Sequence, residues 1–166
     1  MMYLLDANVF IQAKNFYYGF DICPGFWDWM DAAAAPGREV RSISRVYDEL
    51  AAGNDTLADW VKPRKGDGRF LTVTDNETQS VFVKVATYVQ TAGYTQSAKD
   101  LFLGGADPWL VAKAATLGAT VVTLEKSEPN AKKRVPLPNI CAVFGVPVLD
   151  TFALLQAHSA AFGWTE

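Results

Sequence analysis

Acidic residues follow the short apolar runs of this sequence. Asp6, Asp75, Glu125 and Asp150 each lie at or just after the end of such a run. The runs are continuous rather than alternating, which is typical of parallel strands covered on both faces. The carboxyl ends of parallel strands meet at one edge of a sheet, where ligands bind. Carboxylates gathered at that edge could hold a metal ion that activates water for hydrolysis.

Each acid also has a structural explanation, because aspartate is a favoured N-cap of helices. Asp75 and Asp150 directly precede helical patterns, and we predict that both are caps. Asp6 fits capping and function equally well, since it ends the most buried run and Asn8 adds a polar group two residues later. Glu125 is a poor N-cap and no helix start follows it, which favours a functional role.

Two further acids lie on predicted helices. Glu49 shares a helical face with Val46 and Leu50, which places a carboxylate on an apolar stripe, whereas Asp48 points elsewhere. Asp107 stands in a capping position before a helix that is apolar nearly all round, so we expect its cap inside the protein. Buried carboxylates that share a site need a cation. Oxygen ligands without His or Cys favour Mg²⁺ or Mn²⁺.

Strand and helix patterns alternate along the chain, which predicts a layered α/β fold with a central, mainly parallel sheet in one domain, 1–166. Strands are predicted at residues 3–5, 70–73, 120–124 and 146–149, with a short additional strand at 40–43. Helices are predicted at residues 26–35, 46–52, 56–62, 77–92, 108–117 and 151–161.

Composition excludes several classes of protein. A net charge of −3 over 166 residues provides no global field for nucleic acid or membrane, so a polyanion would be bound through local patches and metal. Cys23 and Cys141 lack the spacing of a zinc site, and we expect two buried free thiols. The first residues form neither a signal peptide nor a membrane span, which predicts a cytoplasmic location and no membrane partner.

Four segments together resemble the motifs of the PIN-domain family, metal-dependent ribonucleases that include VapC-like toxins of bacterial toxin–antitoxin pairs. They occur in the family's order and are distributed over most of the chain, from residue 4 to residue 125. The segments are Leu4–Val9, Ser44–Leu50, Gly105–Ala112 and Val121–Glu125. The fourth motif commonly has an aspartate where this chain has Glu125, which is a departure from the family's pattern.

The resemblance implies a three-layer α/β/α sandwich and an endoribonuclease that hydrolyses RNA phosphodiester bonds with Mg²⁺ or Mn²⁺, leaving a 5′-phosphate and a 3′-hydroxyl. The implied catalytic residues are Asp6, Glu49, Asp107 and Glu125, of which Asp6, Glu49 and Asp107 hold metal. Asn8, Ser44 and Thr123 would support them. The implied partners are an RNA substrate and an antitoxin protein.

Two basic stretches could contact an RNA backbone, and both could equally be solvated loops. One comprises Lys62, Arg64, Lys65 and Arg69, and the other comprises Lys132, Lys133 and Arg134. The second follows Glu125 closely, so we predict that it is the one that reaches substrate. An aromatic-rich segment, residues 16–29, is expected to pack as core; any exposed part would favour a homodimer contact or an antitoxin groove.

Two other functions compete with the nuclease. A phosphatase of the haloacid-dehalogenase kind also has an aspartate after its first strand, but its second acid falls where this chain has Asn8, and it gives Glu49 no role. A non-catalytic α/β interaction module would use the acids as caps and bind a protein through the aromatic segment. That module predicts no metal dependence.

Overall fold

The computed structural model describes residues 1–164, which form five strands, nine α-helices and a 3-10 turn at Lys62–Arg64. The strands are β1 (Tyr3–Leu5), β2 (Val40–Ile43), β3 (Phe70–Leu71), β4 (Thr120–Val122) and β5 (Val148–Leu149). The helices are α1 (Ala7–Asn15), α2 (Pro24–Ala33), α3 (Ser44–Ala51), α4 (Thr56–Val61), α5 (Asn76–Thr91), α6 (Gln96–Gly104), α7 (Asp107–Leu117), α8 (Leu137–Val143) and α9 (Thr151–Ala157).

All neighbouring strands of the sheet are parallel, in the order β3-β2-β1-β4-β5. The chain builds outward from β1 to β3 and then crosses to the other side of β1 for β4 and β5. A crevice opens beyond the carboxyl ends of β1 and β4, where the direction of winding reverses, and such crevices are where open α/β sheets bind ligands. The α/β class and the parallel sheet are confirmed, and the helices complete a three-layer α/β/α sandwich.

The core explains why the strands are so apolar. Leu4, Leu5, Val121 and Val122 have no exposed surface, as expected for central strands with helices on both faces. Helix α7 has many buried residues: Leu110 and several neighbours are inaccessible, which agrees with its apolar sequence. One core therefore fixes β1, β4 and α7 relative to one another; the predicted site residues Asp6 and Thr123 directly follow β1 and β4, and Asp107 begins α7.

Several predicted boundaries were wrong. The strand predicted at residues 146–149 begins only at Val148, because Pro147 has no N–H for the ladder. The strands predicted at 70–73 and 120–124 end at Leu71 and Val122. The helix predicted at 151–161 stops at Ala157, and Ser159, with φ of 49°, turns the chain away. Three helices, α1, α6 and α8, were missed entirely.

Both cysteines are free thiols, as predicted. Cys141 is buried, but Cys23 is only partly buried, so the predicted burial of Cys23 was wrong. Within residues 1–164, none of the helices combines the length and the apolar character needed to cross a membrane.

Candidate functional site: an acidic cleft at the carboxyl edge of the sheet

A cleft of about 470 Å³ opens at the carboxyl edge of the sheet, and four carboxylates line it: Asp6, Glu49, Asp107 and Glu125. We call this the acidic cleft. The four residues come from the end of β1, from α3, from the start of α7 and from the loop after β4. They are separated by up to 119 positions in sequence, and the fold brings them to one opening.

Asp6 forms the floor of the acidic cleft. Its backbone N–H donates to the carbonyl of Val122 at 2.9 Å, which continues the β1–β4 pairing, and only 3% of the residue is exposed. Its Oδ2 accepts a hydrogen bond from the Thr123 hydroxyl at 2.9 Å. Burial raises the pKa of Asp6 to about 6; the Thr123 hydrogen bond opposes this shift and the charge of Glu125 adds to it.

Glu49 joins α3 to the start of α7. Its Oε1 accepts a hydrogen bond from the backbone N–H of Ala106 at 3.0 Å, so a side chain from another helix satisfies this N–H at the α7 N-cap. Val46 and Leu50 are buried as predicted, but Glu49 itself is exposed in the cleft, so its expected burial on the stripe was wrong. Asp48 is exposed and does not line the cleft.

Asp107 is the first helical residue of α7, not its cap as predicted. Ala106 is the N-cap, and no side-chain capping bond forms there. Within residues 1–164, no hydrogen bond contributes to the pKa shift of Asp107. Burial raises its pKa to about 8, the charges of Asp6, Glu125 and Glu49 add to the shift, and Arg134 partly offsets it. Asp107 is thus a carboxylate without compensation from hydrogen bonds.

Glu125 ties the loop after β4 to the start of α8. Its Oε2 accepts from the backbone N–H of Leu137 at 2.9 Å and pairs with the Arg134 guanidinium at 3.1 Å. Its own backbone N–H donates to Thr123 Oγ1 at 3.1 Å. One oxygen of Glu125 is therefore engaged in structure, and the Arg134 that pairs with it also lines the cleft.

The donor set fits a hard divalent cation. The cleft offers four carboxylates, and the pKa values of Asp6 and Asp107 are raised by burial first and by the neighbouring carboxylates second, both of which a bound cation would oppose. As the side chains stand in residues 1–164, no three His, Cys, Asp or Glu groups are placed to hold an ion together. Glu49 and Glu125 point to backbone N–H groups, so binding by three carboxylates would require one of these side chains to rotate.

The remaining predicted site residues are divided. Asn8 lines the acidic cleft, and Thr123 joins Asp6 to Glu125. Ser44 is the first residue of α3 and does not line the cleft. Lys132 and Lys133 are exposed and also lie outside the cleft lining, so Arg134 is the member of that stretch that reaches the acids.

Asp75 and Asp150 are caps, as predicted. Asp75 accepts from the backbone N–H of Thr78 at 2.9 Å and pairs with Lys113 of α7 at 2.6 Å. The hydrogen bond from Lys113 is the main reason that the pKa of Asp75 lies well below its usual range. Asp150 accepts from the backbone N–H of Ala153 at 2.8 Å. Neither lines the acidic cleft.

Two residues of the first basic stretch, Arg64 and Arg69, have structural roles. Arg64 donates two hydrogen bonds to the Asp31 carboxylate, at 2.8 and 2.6 Å, and Arg69 donates a third at 2.7 Å. Both guanidinium groups also lie over the ring of Trp60. We call these residues the Asp31 network. Lys62 and Lys65 are exposed.

The aromatic segment is partly core and partly surface. Phe26 and Trp27 are buried, which agrees with the core prediction. Phe16 and Tyr17 are 63% and 75% exposed, so the prediction does not hold for the start of the segment.

Sequence reasoning missed the apolar residues at the mouth of the cleft. Ile11 on α1 and Leu101 on α6 line it and are 37% and 81% exposed. Both helices were absent from the predicted elements, so no pattern drew attention to these residues. Gly105 also lines the cleft, and a Cβ there would lie 3.6 Å from Glu49 Oε1.

The fold and the site define a single-sheet α/β protein with an acidic cleft at the topological switch point. The chain belongs to the family described as "Domain of unknown function (DUF4411)", whose sequence profile matches residues 3–162. No curated protein and no solved structure matches the chain.

Proposed function

We propose that this protein is a metal-dependent ribonuclease of the PIN-domain kind and that the acidic cleft is its active site. The observation that carries the proposal is the convergence of Asp6, Glu49, Asp107 and Glu125 on one opening at the carboxyl edge of the sheet. Asp75 and Asp150 provide a comparison, because they also follow strands of the sheet. Both cap helices and both lie outside the cleft.

Asp6 and Asp107 are the proposed direct ligands of Mg²⁺ or Mn²⁺. Both carboxyls are held against the sheet core, and the pKa of each is raised by burial together with neighbouring carboxylates. A bound cation would neutralise a scissile phosphate and lower the pKa of an attacking water. The charge already gathered in the cleft is what makes a cation favourable there.

Glu49 and Glu125 have different proposed roles. Glu49 is exposed on the wall of the cleft, beside Asp107, and by rotation of its side chain it would complete the ligand set or accept a proton from water. Glu125 is held by Leu137 and in turn holds Arg134 at the cleft. Arg134 can then donate to a substrate phosphate with geometry that suits an arginine. Glu125 is thus chiefly a positioning residue.

The proposal extends to a toxin with an antitoxin partner. Support comes from Ile11 and Leu101, exposed apolar residues at the mouth of the cleft, since a protein that covered them would also close the opening. We expect the product of an adjacent gene to bind and inhibit the enzyme. Leu101→Ala should weaken that inhibition, with cleavage by the free variant measured as its own baseline; unaltered inhibition would contradict this extension.

The decisive experiment is cleavage of mixed structured and single-stranded RNA with Mg²⁺, Mn²⁺ or EDTA. Wild type should cut only with metal, and Asp6→Asn and Asp107→Asn should each abolish cutting. Asp48→Asn is the matched control, because Asp48 neighbours Glu49 but lies outside the cleft. No cutting by wild type, together with no metal binding that depends on Asp6, would overturn the nuclease in favour of a non-catalytic interaction module.

A further inference from the structure

A second opening lies on the other side of α1 from the acidic cleft. It has a volume of about 280 Å³ and is walled by Val9, Ala13 and Leu124, with Tyr17 and Phe152 at its rim. We call it the aromatic pocket. Tyr17 and Phe152 are 75% and 45% exposed, and their rings meet edge to face at 6.2 Å.

The aromatic pocket and the acidic cleft share two stretches of chain. Val9 lines the pocket and Asn8 lines the cleft, while Leu124 lines the pocket and Glu125 lines the cleft. Each of these stretches therefore has neighbouring residues in the linings of both openings. A chain molecule that passed around α1 could place one unit in the cleft and another unit in the pocket.

The size of the pocket favours a single ring system. Small-molecule pockets typically have volumes from roughly 300 to 1,000 Å³, and this pocket lies at the lower end of that range. A protein helix would need a longer groove with several anchor positions. An isolated pocket with aromatic rims suits one planar group.

The pocket also offers polar groups for such a ring. Gln12 lies in its lining, and so does Thr151, which is 4% exposed. The Thr151 hydroxyl is buried and has no hydrogen-bond partner within residues 1–164. A buried hydroxyl without a partner costs free energy, and rotation of the Thr151 side chain toward the pocket would let the polar edge of a ligand supply the missing bond.

We propose that the aromatic pocket binds an unpaired nucleobase of the nucleic acid whose phosphate lies in the acidic cleft; this rests on the proposed nuclease function. The chain has a net charge of −3, and Arg64 and Arg69 are paired with Asp31. Electrostatic attraction for the RNA backbone is therefore limited, which favours base stacking as a further source of affinity. Aromatic side chains bind bases of single strands without requiring a particular sequence. The substrate class is accordingly single-stranded RNA, not a duplex, whose bases are stacked and paired.

The experiment compares two fluorescent oligonucleotides of equal length, one a single-stranded RNA and the other carrying abasic ribose-phosphate units. Binding is measured by anisotropy with Mg²⁺ in the Asp6→Asn background, where cleavage is expected to be absent. Tyr17→Ala and Phe152→Ala should each weaken binding of the base-containing strand between about fivefold and a hundredfold, and leave binding of the abasic strand unchanged. Both side chains are largely exposed, so their truncation leaves the core intact.

Tyr88→Ala is the matched control, because Tyr88 is an exposed aromatic residue on α5 outside the pocket. Thr151→Val removes the unpartnered hydroxyl and should also weaken binding of the base-containing strand alone, without loss of thermal stability. Equal binding of both strands by the Asp6→Asn protein, or equal weakening of both by Phe152→Ala, would overturn the proposal.

Two other outcomes would also overturn it. If the pocket were a contact between copies of this chain or with a protein, Phe152→Ala would change the sedimentation coefficient or partner binding and leave the preference for bases unaltered. Cleavage by the wild-type protein, measured in parallel, separates the two failures. Metal-dependent cleavage without any base preference would contradict only the proposed nucleobase site. Absence of cleavage would contradict the proposed nuclease function as well.

Discussion

The hydroxyl of Thr123 connects the two strand ends that flank the switch point: it donates to Asp6 Oδ2 at 2.9 Å and accepts from the backbone N–H of Glu125 at 3.1 Å. Thr123 is 1% exposed, so this bond operates away from water. It fixes the orientation of the Asp6 carboxylate and lowers the pKa of Asp6 against the effect of burial. Thr123 is therefore a positioning residue for the proposed ligand.

Thr123→Val should weaken Mn²⁺ binding by about 10- to 100-fold, as is usual when a hydrogen bond to a metal ligand is lost. Titration calorimetry would measure the affinity, and circular dichroism would establish that the variant is folded. Thr123→Ser restores the hydroxyl and should recover most of the affinity. A variant that lacks the hydroxyl yet binds Mn²⁺ as tightly as wild type would exclude this role.

Asp107→Asn should stabilise the metal-free protein. The carboxylate is partly buried, has no compensating hydrogen bond among residues 1–164 and lies near three other acids, so its charged form is unfavourable. With a pKa of about 8, Asp107 keeps its proton in the folded metal-free protein at neutral pH, whereas the unfolded chain is stabilised by ionising this group. A neutral amide of the same size removes that advantage of the unfolded chain, so thermal unfolding in EDTA should show a higher Tm for the variant, by about 2–4 °C for each kcal/mol. Added Mn²⁺ should raise the Tm of wild type and not of the variant.

The same carboxyl predicts how the stability of the metal-free protein depends on pH. The pKa of Asp107 rises from 3.8 to about 8 because of burial first and the neighbouring acids second. Between these values the folded state holds a proton that the unfolded state has lost, so the free energy of unfolding falls as pH rises. Urea unfolding in EDTA from pH 4 to 8 should show a negative slope of the free energy of unfolding against pH. In Asp107→Asn the slope should be shallower, and an unchanged slope would assign it to other groups.

Local rules predicted the parts of the site that depend on local structure. Asp6 and Glu125 were found because an apolar strand followed by an acid marks the carboxyl edge of a parallel sheet. Asp75 and Asp150 were assigned correctly as caps because capping depends on three or four consecutive residues.

The rest of the site depends on contacts between distant segments, which a single sequence does not reveal. The rule for N-caps assigned Asp107 as the cap of α7, but Glu49, 57 positions from Ala106 in sequence, satisfies the N–H of Ala106. Whether a basic residue binds substrate also depends on distant partners. Arg64 and Arg69 both pair with Asp31, more than 30 positions earlier.

Asp31→Asn tests the structural role of the Asp31 network. Burial raises the pKa of Asp31, but the hydrogen bonds from Arg64 and Arg69 outweigh it and lower the pKa below its usual value. The stabilisation is therefore present above the unfolded pKa and is lost as pH falls through the lowered folded pKa. Because the carboxylate is partly exposed, we expect a loss on the order of 1 kcal/mol at neutral pH. RNA cleavage per folded molecule should not change, and reduced cleavage would place this stretch in the substrate path.

Arg134 is predicted to contact an RNA phosphate, and the dependence of binding on salt distinguishes that role from a purely structural one. Each phosphate contact to a single strand contributes a slope of about −0.7 to the logarithm of the binding constant against the logarithm of salt concentration. Measured with Mg²⁺ in the Asp6→Asn background, Arg134→Ala should reduce the slope by one such contact. Lys133→Ala is the matched control, since Lys133 is exposed and lies outside the cleft lining. If Arg134 served only to hold Glu125, as their 3.1 Å pair alone would suggest, the variant would bind RNA with an unaltered slope.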